Sequence, residues 1–281
     1  KIIKCPCGYG NLSETTHAIS CSVCKAIYIK KNNKMIDLLP SKVKPLDKNI
    51  EAKVSNYYYS QYKKPFLMAN EKEGWGFNQS NNLGSSFFLN DLANNIIEQC
   101  NNNENNLLID LTGGSGFLTF KLAKYFKKII FCDISIEALN RAQSYSRIND
   151  INNIYFARCD YLQLPFNKNI ASTITIIDSL EYYGHSWDKK TIQDSWMVLR
   201  DQGKLIFDLH LTRWYKKKSP VREYSKNEII TLLKEFNSSK IKKIDSSFLP
   251  LSFIKSINMW KKSQKYLSFL PPCRKLIIIK K

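Results

Sequence analysis

Long hydrophobic runs are absent from this 281-residue sequence, and with them the means to cross a bilayer as a helix. Lys1 to Gly10 also lacks the apolar core of a secretion signal, so the chain is expected to be soluble and cytoplasmic, with no membrane span. Acidic residues are in short supply: 24 Asp and Glu face 43 Lys and Arg, a formal net charge of +19. The shortage is uneven. Residues 1–50 carry nine basic against three acidic side chains, residues 51–199 fourteen against fifteen, and residues 200–281 twenty against six. RNA or another polyanion is one reading of the basic ends. The other is compositional drift in a chain crowded with Asn, Ile and Lys.

Cysteine is sparse except at the start. Cys5, Cys7, Cys21 and Cys24 fall in CPCGYG and CSVCK, whereas Cys100, Cys132, Cys159 and Cys273 are scattered among apolar neighbours and read as small buried hydrophobes. A pair of disulfides is one use for the first four. An intracellular chain disfavours it, and Cys-x-Cys followed by Cys-x-x-Cys suits tetrahedral zinc. A segment of about 40 residues has little core of its own, so metal binding would supply its folding free energy. Four thiolates leave no coordination position open, which makes such a zinc structural.

Glycine is scarce too, ten residues in all, yet three of them lie within four positions of LLIDLTGGSGFLTF, residues 107–120. Apolar positions around Asp110 read as a strand, Gly113, Gly114 and Gly116 as a tight turn, and Phe117 onward as a helix. From Leu107 strands and helices alternate. Strand 129–132 ends at Asp133, with Ser135 placed to cap helix 136–147. Strand 154–157 leads to Asp160, and strand 172–177 to Asp178. Helix 189–199 precedes a turn at Gly203 and strand 204–209. Ser225 and Glu228 form a capping box for helix 227–236, and two strands near 241–248 and 275–279 finish the chain. Such alternation predicts an α/β fold, a mostly parallel sheet with helices on both faces. Residues 1–40 form the cysteine unit, 41–90 a Lys/Pro linker and an aromatic-rich cover, and 91–281 the α/β domain. A helix is expected from Asn90 to Cys100.

In such sheets ligands sit beyond the carboxyl ends of the strands, where Asp110, Asp133, Asp160 and Asp178 all fall. Asp133 lies about twenty residues beyond the glycine turn, as a carboxylate holding two ribose hydroxyls does. The Gly-x-Gly-x-x-Gly pattern is not met, because positions 112 and 119 are Thr, and that disfavours NAD.

These motifs carry a resemblance. Asp110-Leu111-Thr112-Gly113-Gly114-Ser115-Gly116, Cys159 to Phe166, Asp178-Ser179-Leu180-Glu181 and the turn before Gly203 resemble the motifs of class I S-adenosylmethionine-dependent methyltransferases. With four cysteines in front, the whole is similar to the ubiquinone/menaquinone-biosynthesis-like subgroup that carries an N-terminal zinc ribbon. Thr112 departs from the usual small residue, and Cys-x-Cys is one residue short of the commoner spacing. The resemblance implies a Rossmann-like sheet with its last strand antiparallel. It implies that the Gly113 to Gly116 turn, with Gly113, Gly114 and Gly116, packs against the methionine part of the cofactor, and that Asp110 and Thr112 are also among the cofactor contacts. Asp133 and Ile134 would take the ribose, Cys159, Asp160 and Tyr161 the adenine, and Asp178 and Ser179 would lie beside the sulfonium.

An alcohol or phenol acceptor calls for a base, and with only three histidines in the chain the candidates are His185 and His210, His17 lying in the cysteine unit. Tyr182, Tyr183, Arg213, Arg222 and Tyr224 are candidate acceptor contacts, with residues 210–226 as an acceptor-side loop. Three functions compete: methylation of a small molecule at oxygen or carbon, methylation of an RNA guanine held by the ribbon and basic tail, and a non-catalytic binding module.

Overall fold

The computed structural model describes residues 2–5, 7, 10–32, 34–39, 83–99, 106–114, 116–182, 185–212, 222–247, 256–266 and 272–281. The cysteine unit supplies four short strands, β1 (Leu12–Glu14), β2 (Ala18–Cys21), β3 (Ile27–Asn32) and β4 (Met35–Asp37). Helix α1 (Leu83–Gln99) follows, then β5 (Leu107–Asp110), α2 (Phe117–Leu122), β6 (Lys128–Asp133), α3 (Ile136–Ile148), β7 (Ile154–Arg158) and β8 (Ala171–Ile176). The last part is α4 (His185–Val198), β9 (Leu199–His210), α5 (Lys226–Leu233), β10 (Ile241–Ser247), α6 (Ile257–Tyr266) and β11 (Arg274–Lys280).

Among the described residues eleven strands form one sheet in the order β1-β2-β3-β4-β7-β6-β5-β8-β9-β11-β10. The run from β4 to β9 is parallel, and β11 enters antiparallel to both β9 and β10. The expected α/β sheet with an antiparallel last strand is what the chain builds. The chain order reverses at β5, between β6 and β8, so the ligand-binding end of the sheet lies at the tips of β5, β6, β7 and β8.

Alternation along the strands makes two cores. Ile109, Ile130, Cys132, Ile174 and Phe207 face α4 and α5 through Ile192, Ile229 and Leu233. Leu108, Ile129, Phe131, Ile206 and Leu276 face α1, α2, α3 and α6 through Ile96, Leu122, Leu139 and Trp260. Strands buried on both faces explain the near-continuous apolar runs in the sequence. Cys5, Cys21, Tyr28 and Leu38 of the cysteine unit join the first core, so this unit is packed onto the sheet and hydrogen-bonded to its edge.

Several boundaries differ from the sequence reading. Helix α1 starts seven residues before Asn90, and α4 starts at His185 rather than near 189. Gly203 lies inside β9, where the pairing with β8 slips between Ala171 and Thr173 and Gln202 takes a left-handed φ of 62°. A Cβ on Gly203 would lie 2.8 Å from the Arg200 carbonyl oxygen, so the slip needs glycine. Helix α6 was not expected at all. Ser135 caps α3 by accepting from the Ala138 amide at 3.2 Å, and both halves of the Ser225–Glu228 capping box are present. The linker at 41–49 and residues 50–82 of the expected cover lie outside the described residues, while residues 83–90 of that cover belong to α1. No helix among the described residues is long and apolar enough to cross a membrane.

Candidate active site

The glycine turn is set by its surroundings. A Cβ on Gly113 would lie 2.4 Å from the Phe131 ring, and Gly114 and Gly116 adopt positive φ of 53° and 81°. The Gly113 amide donates to the Cys132 carbonyl at 2.9 Å, and the Gly114 amide donates to Asp133 Oδ2 at 2.8 Å. The Ser135 amide donates to Asp133 Oδ1, also at 2.8 Å. Asp133 is 4 % exposed. Burial pushes its carboxyl up to about 6, and the two amides, which favour the ionised form, hold it from rising further. At neutral pH it is an oriented acceptor at the rim of the turn.

Asp110 has a different part. Its Oδ1 accepts from Thr175 Oγ1 at 3.1 Å and its Oδ2 from Thr119 Oγ1, and it is 2 % exposed, so it braces the turn from beneath. These hydroxyls belong to α2 and β8, so Asp110 ties the helix after the turn to the neighbouring strand. Burial raises its pKa. Thr112, the departure from the small-residue pattern, ties β5 to the end of β8. Its hydroxyl donates to the Ile177 carbonyl at 3.0 Å and accepts from the Ile177 amide at 2.9 Å.

The third wall follows β7. The Cys159 amide donates to the Asp133 carbonyl at 3.1 Å, and the Cys159 side chain is buried. Asp160 Oδ1 accepts from the Leu162 amide at 2.9 Å, and Tyr161 donates its hydroxyl to the Ser179 carbonyl at 3.1 Å. Tyr161 thereby spans from the β7 loop to the β8 loop. Asp133, Ile134, Cys159, Asp160, Tyr161, Asp178 and Ser179 are brought to one end of the sheet.

Beyond β8 lies a cluster that the sequence did not announce. Asp178, at φ 54°, accepts at Oδ1 from Arg274 Nη2 at 2.6 Å and lies 3.1 Å from His210 Nε2. Its amide donates to Asp208 Oδ1 at 2.7 Å, and Arg274 Nη1 donates to Asp208 Oδ2 at 2.9 Å. Glu181 Oε1 lies 2.9 Å from the same His210 nitrogen. Burial and Arg274 both press the His210 pKa down, but the Asp178 and Glu181 carboxylates outweigh them and raise it to about 9. The Asp178 side chain is half open to solvent at its tip. Protein atoms packed around its carboxylate would raise its pKa, yet Arg274 and His210 override this and hold it well below the usual range. Burial raises Glu181 and Asp208. His210 is therefore an imidazolium at neutral pH. Glu181, Asp208 and Arg274 were missed as site residues, although Asp208 sits two residues from His210 on one strand face and Arg274 is the register partner of His210.

Two of the five expected acceptor contacts hold the fold together. Tyr224 is 2 % exposed and donates its hydroxyl to Asp188 Oδ2 at 2.7 Å. Arg222 pairs with Asp188 and, at 3.2 Å, with Glu228, and stacks 4.2 Å over the Tyr224 ring. Both are engaged in anchoring α4 and α5. Tyr182 ends a short 3-10 helix, Leu180–Tyr182, and His185 opens α4. Tyr183 and Arg213 lie outside the described residues.

At the β1 margin of the sheet, Cys5 Sγ lies 3.5 Å from Cys24 Sγ and Cys7 Sγ 3.7 Å from Cys21 Sγ, and one ligand atom from each of the four lies within 4.8 Å of the others. A Cβ on Gly10 would lie 1.9 Å from Cys21 Sγ, so the cluster needs glycine there. These sulfurs are available to a metal.

A family model described as a methyltransferase domain matches residues 108–203. The ubiquinone/menaquinone biosynthesis C-methyltransferase UbiE of Wigglesworthia glossinidia brevipalpis is 29 % identical over 126 residues, 43 % of this chain and 50 % of its own length. The chain spans about half the length of the curated relatives it matches. Two solved structures share the fold. Geranyl diphosphate C-methyltransferase from Streptomyces coelicolor A3(2) has a TM-score of 0.57 at 11 % identity, over 85 % of this chain and 98 % of that one. Magnesium protoporphyrin IX methyltransferase from Synechocystis PCC 6803 has a TM-score of 0.56 at 15 % identity, over 83 % and 99 %. At such identities the likeness is one of fold. Strand order, glycine turn and buried Asp133 agree with the methyltransferase domain matched over residues 108–203, and in sequence the chain is similar to UbiE C-methyltransferases over part of its length.

Proposed function

We propose that this protein transfers the methyl group of S-adenosylmethionine to a small-molecule acceptor at oxygen or carbon. The observation that supports this best is Asp133, a buried carboxylate aligned by the Gly114 and Ser135 amides at the rim of a glycine turn. Each oxygen has spare lone pairs for ribose hydroxyls. Bound S-adenosylmethionine would supply an activated methyl group. The chain's own task is then positioning and exclusion of water, which supply most of the acceleration of an in-line displacement. Gly113, Gly114 and Gly116 let backbone approach the methionine part, Asp160 and Tyr161 flank the adenine, and the exposed Asp178 carboxylate lies where it favours positive charge.

His210, raised to about 9, donates rather than removes a proton at neutral pH. We assign it an orienting, charge-balancing part at the acceptor end. Removal of a proton from an alcohol or phenol then falls to His185, at the start of α4. The four cysteines suit a structural zinc ion, since Zn–S bonds of about 2.3 Å in a tetrahedron put sulfurs about 3.8 Å apart, close to the distances seen here. The division into a zinc ribbon at 1–40, a cover at 41–90 and a catalytic domain at 91–281 is part of the same reading.

Calorimetry with S-adenosylhomocysteine, then a methyl-transfer screen on small phenols, quinone precursors and total RNA, tests the proposal. Binding with transfer to a small acceptor is expected. Absence of binding, or transfer to RNA alone, would overturn it.

A further inference from the structure

The cysteine unit grips both ends of the loop that carries Asp160. At one end β4 pairs with β7 in parallel, Met35 with Phe156 and Asp37 with Arg158, and the Leu38 amide donates to the Arg158 carbonyl at 2.8 Å. At the other end the Lys4 amide donates to the Pro165 carbonyl at 2.9 Å. The Asn167 amide donates to the Ile2 carbonyl at 3.0 Å, and Ile3 bridges Phe166. Lys4 immediately precedes Cys5. The loop 158–167 is therefore held between the segment that leads into Cys5 and β4, which is joined to the cysteine unit through β3.

One side chain carries this grip to the other wall. Arg158 Nε donates to the Ile134 carbonyl at 2.9 Å, while its Nη1 meets Asp37 Oδ2 at 3.3 Å. Ile134 links Asp133 to Ser135, whose amide orients the Asp133 carboxylate at Oδ1. Asp37 is itself fixed, its Oδ1 accepting from the Leu39 amide at 3.0 Å. The guanidinium thus reaches from the cysteine unit to the peptide next to the proposed ribose acceptor. Lysine carries all its donors on one nitrogen and does not reproduce the separated Nε and Nη1 donors of the guanidinium.

We infer that Arg158 is a positioning residue for the nucleoside end of the cofactor, through which Asp37 of the four-cysteine unit fixes the Asp133–Ser135 backbone. This rests on the reading under Proposed function. The linkage makes the cysteine unit part of the cofactor wall. Occupancy of the sulfurs and cofactor affinity are then coupled, each favouring the other.

The test is calorimetry of S-adenosylhomocysteine on the zinc-loaded full chain, with zinc content and melting temperature measured alongside. Arg158→Met is expected to raise Kd about three- to tenfold, the loss of one charge-assisted contact. Zinc content should be unchanged, and Arg158→Lys should rescue only in part. Asp37→Asn, a near-isosteric change at a partly exposed site, should raise Kd to a lesser extent. The double variant should be no weaker than Arg158→Met alone, because Asp37 acts through the guanidinium. In turnover the change should appear in KM for the methyl donor and not in kcat. Unchanged Kd in both single variants, or additive effects in the double, would overturn the inference, as would a fall in melting temperature alone. Asp133→Ala separates the two readings. If it weakens binding and Arg158→Met does not, only the inference fails. If the wild type does not bind S-adenosylhomocysteine, the functional reading fails.

Discussion

Removing the Asp133 carboxylate tests the centre of the site. In Asp133→Ala the Gly114 and Ser135 amides, each 2.8 Å from a carboxylate oxygen, lose their acceptor in a buried setting. Two orphaned donors cost about 2 to 6 kcal/mol of stability. Loss of a charged acceptor for ribose hydroxyls costs a further ~1 to 3 kcal/mol of cofactor affinity, a factor of about 5 to 150. Asp133→Asn keeps the shape and one acceptor, so it should fold better than the alanine variant and still bind poorly. Protonation makes the same change without mutation. Because the folded-state carboxyl is raised to about 6, above its ordinary 3.8, the native chain holds a proton that the unfolded chain releases. Its contribution to stability therefore declines as pH rises from about 4 to 6 and is level above that. Cofactor affinity moves the opposite way, falling as pH drops through about 6. Calorimetry with S-adenosylhomocysteine at pH 5, 6 and 7.5 measures it. Equal affinity at all three, or full affinity in Asp133→Asn, would refute Asp133 as the ribose acceptor.

The cluster beyond β8 gives a second pH test. His210 is raised to about 9 from 6.5, so its share of stability is complete below pH 6.5 and is lost as pH rises through about 9; urea midpoints should fall over that window, and His210→Gln should flatten the slope. Arg274→Met leaves Asp208, fully buried, without its cation and should cost about 3 to 5 kcal/mol in urea unfolding; a change below about 1 kcal/mol would show that the pair is replaceable. Metal analysis should find one zinc per chain, and Cys21→Ser at full occupancy would remove that cysteine from the ligand set. RNA affinity at physiological salt should be weak and nonspecific in a filter-binding titration at two salt concentrations. Tight, structure-specific binding would return the basic C-terminal part to an RNA role.

What could be read from the sequence was local. The glycine turn, the Ser135 cap, the Ser225–Glu228 capping box and the four cysteines each signal within a few residues, and each is found in place. What could not be read depends on partners far apart along the chain. Arg274 reaches Asp178 across 96 residues and Asp208 across 66, and nothing beside it in the last strand marks it as other than a solvated end. Arg222 and Tyr224 had the residue types of a binding site, but their partners on α4 and α5 make them struts. The short β4 lacks the length for a periodic signal, so its parallel pairing with β7 emerged only in three dimensions. Thr112 was a departure until Ile177 supplied both of its hydrogen-bond partners.

The pairing of β4 with β7 bears on how the chain avoids its own copies. Without β4, the strand IYFAR would face solvent with unpaired amides and carbonyls, a template on which another unfolded chain adds. The Phe156 amide, given to the Lys34 carbonyl at 2.7 Å, and the Arg158 carbonyl, taken by Leu38, are the groups so hidden. The sheet then ends instead at β1, three residues long, while the opposite margin, β10, exposes Lys242 and Lys243. A short strand and a pair of lysines are poor docking rails for another strand. If the four sulfurs hold zinc as proposed, stripping it would do more than loosen a small unit: it would uncover an adhesive margin, and clumping should follow zinc loss sooner than unfolding of the central sheet.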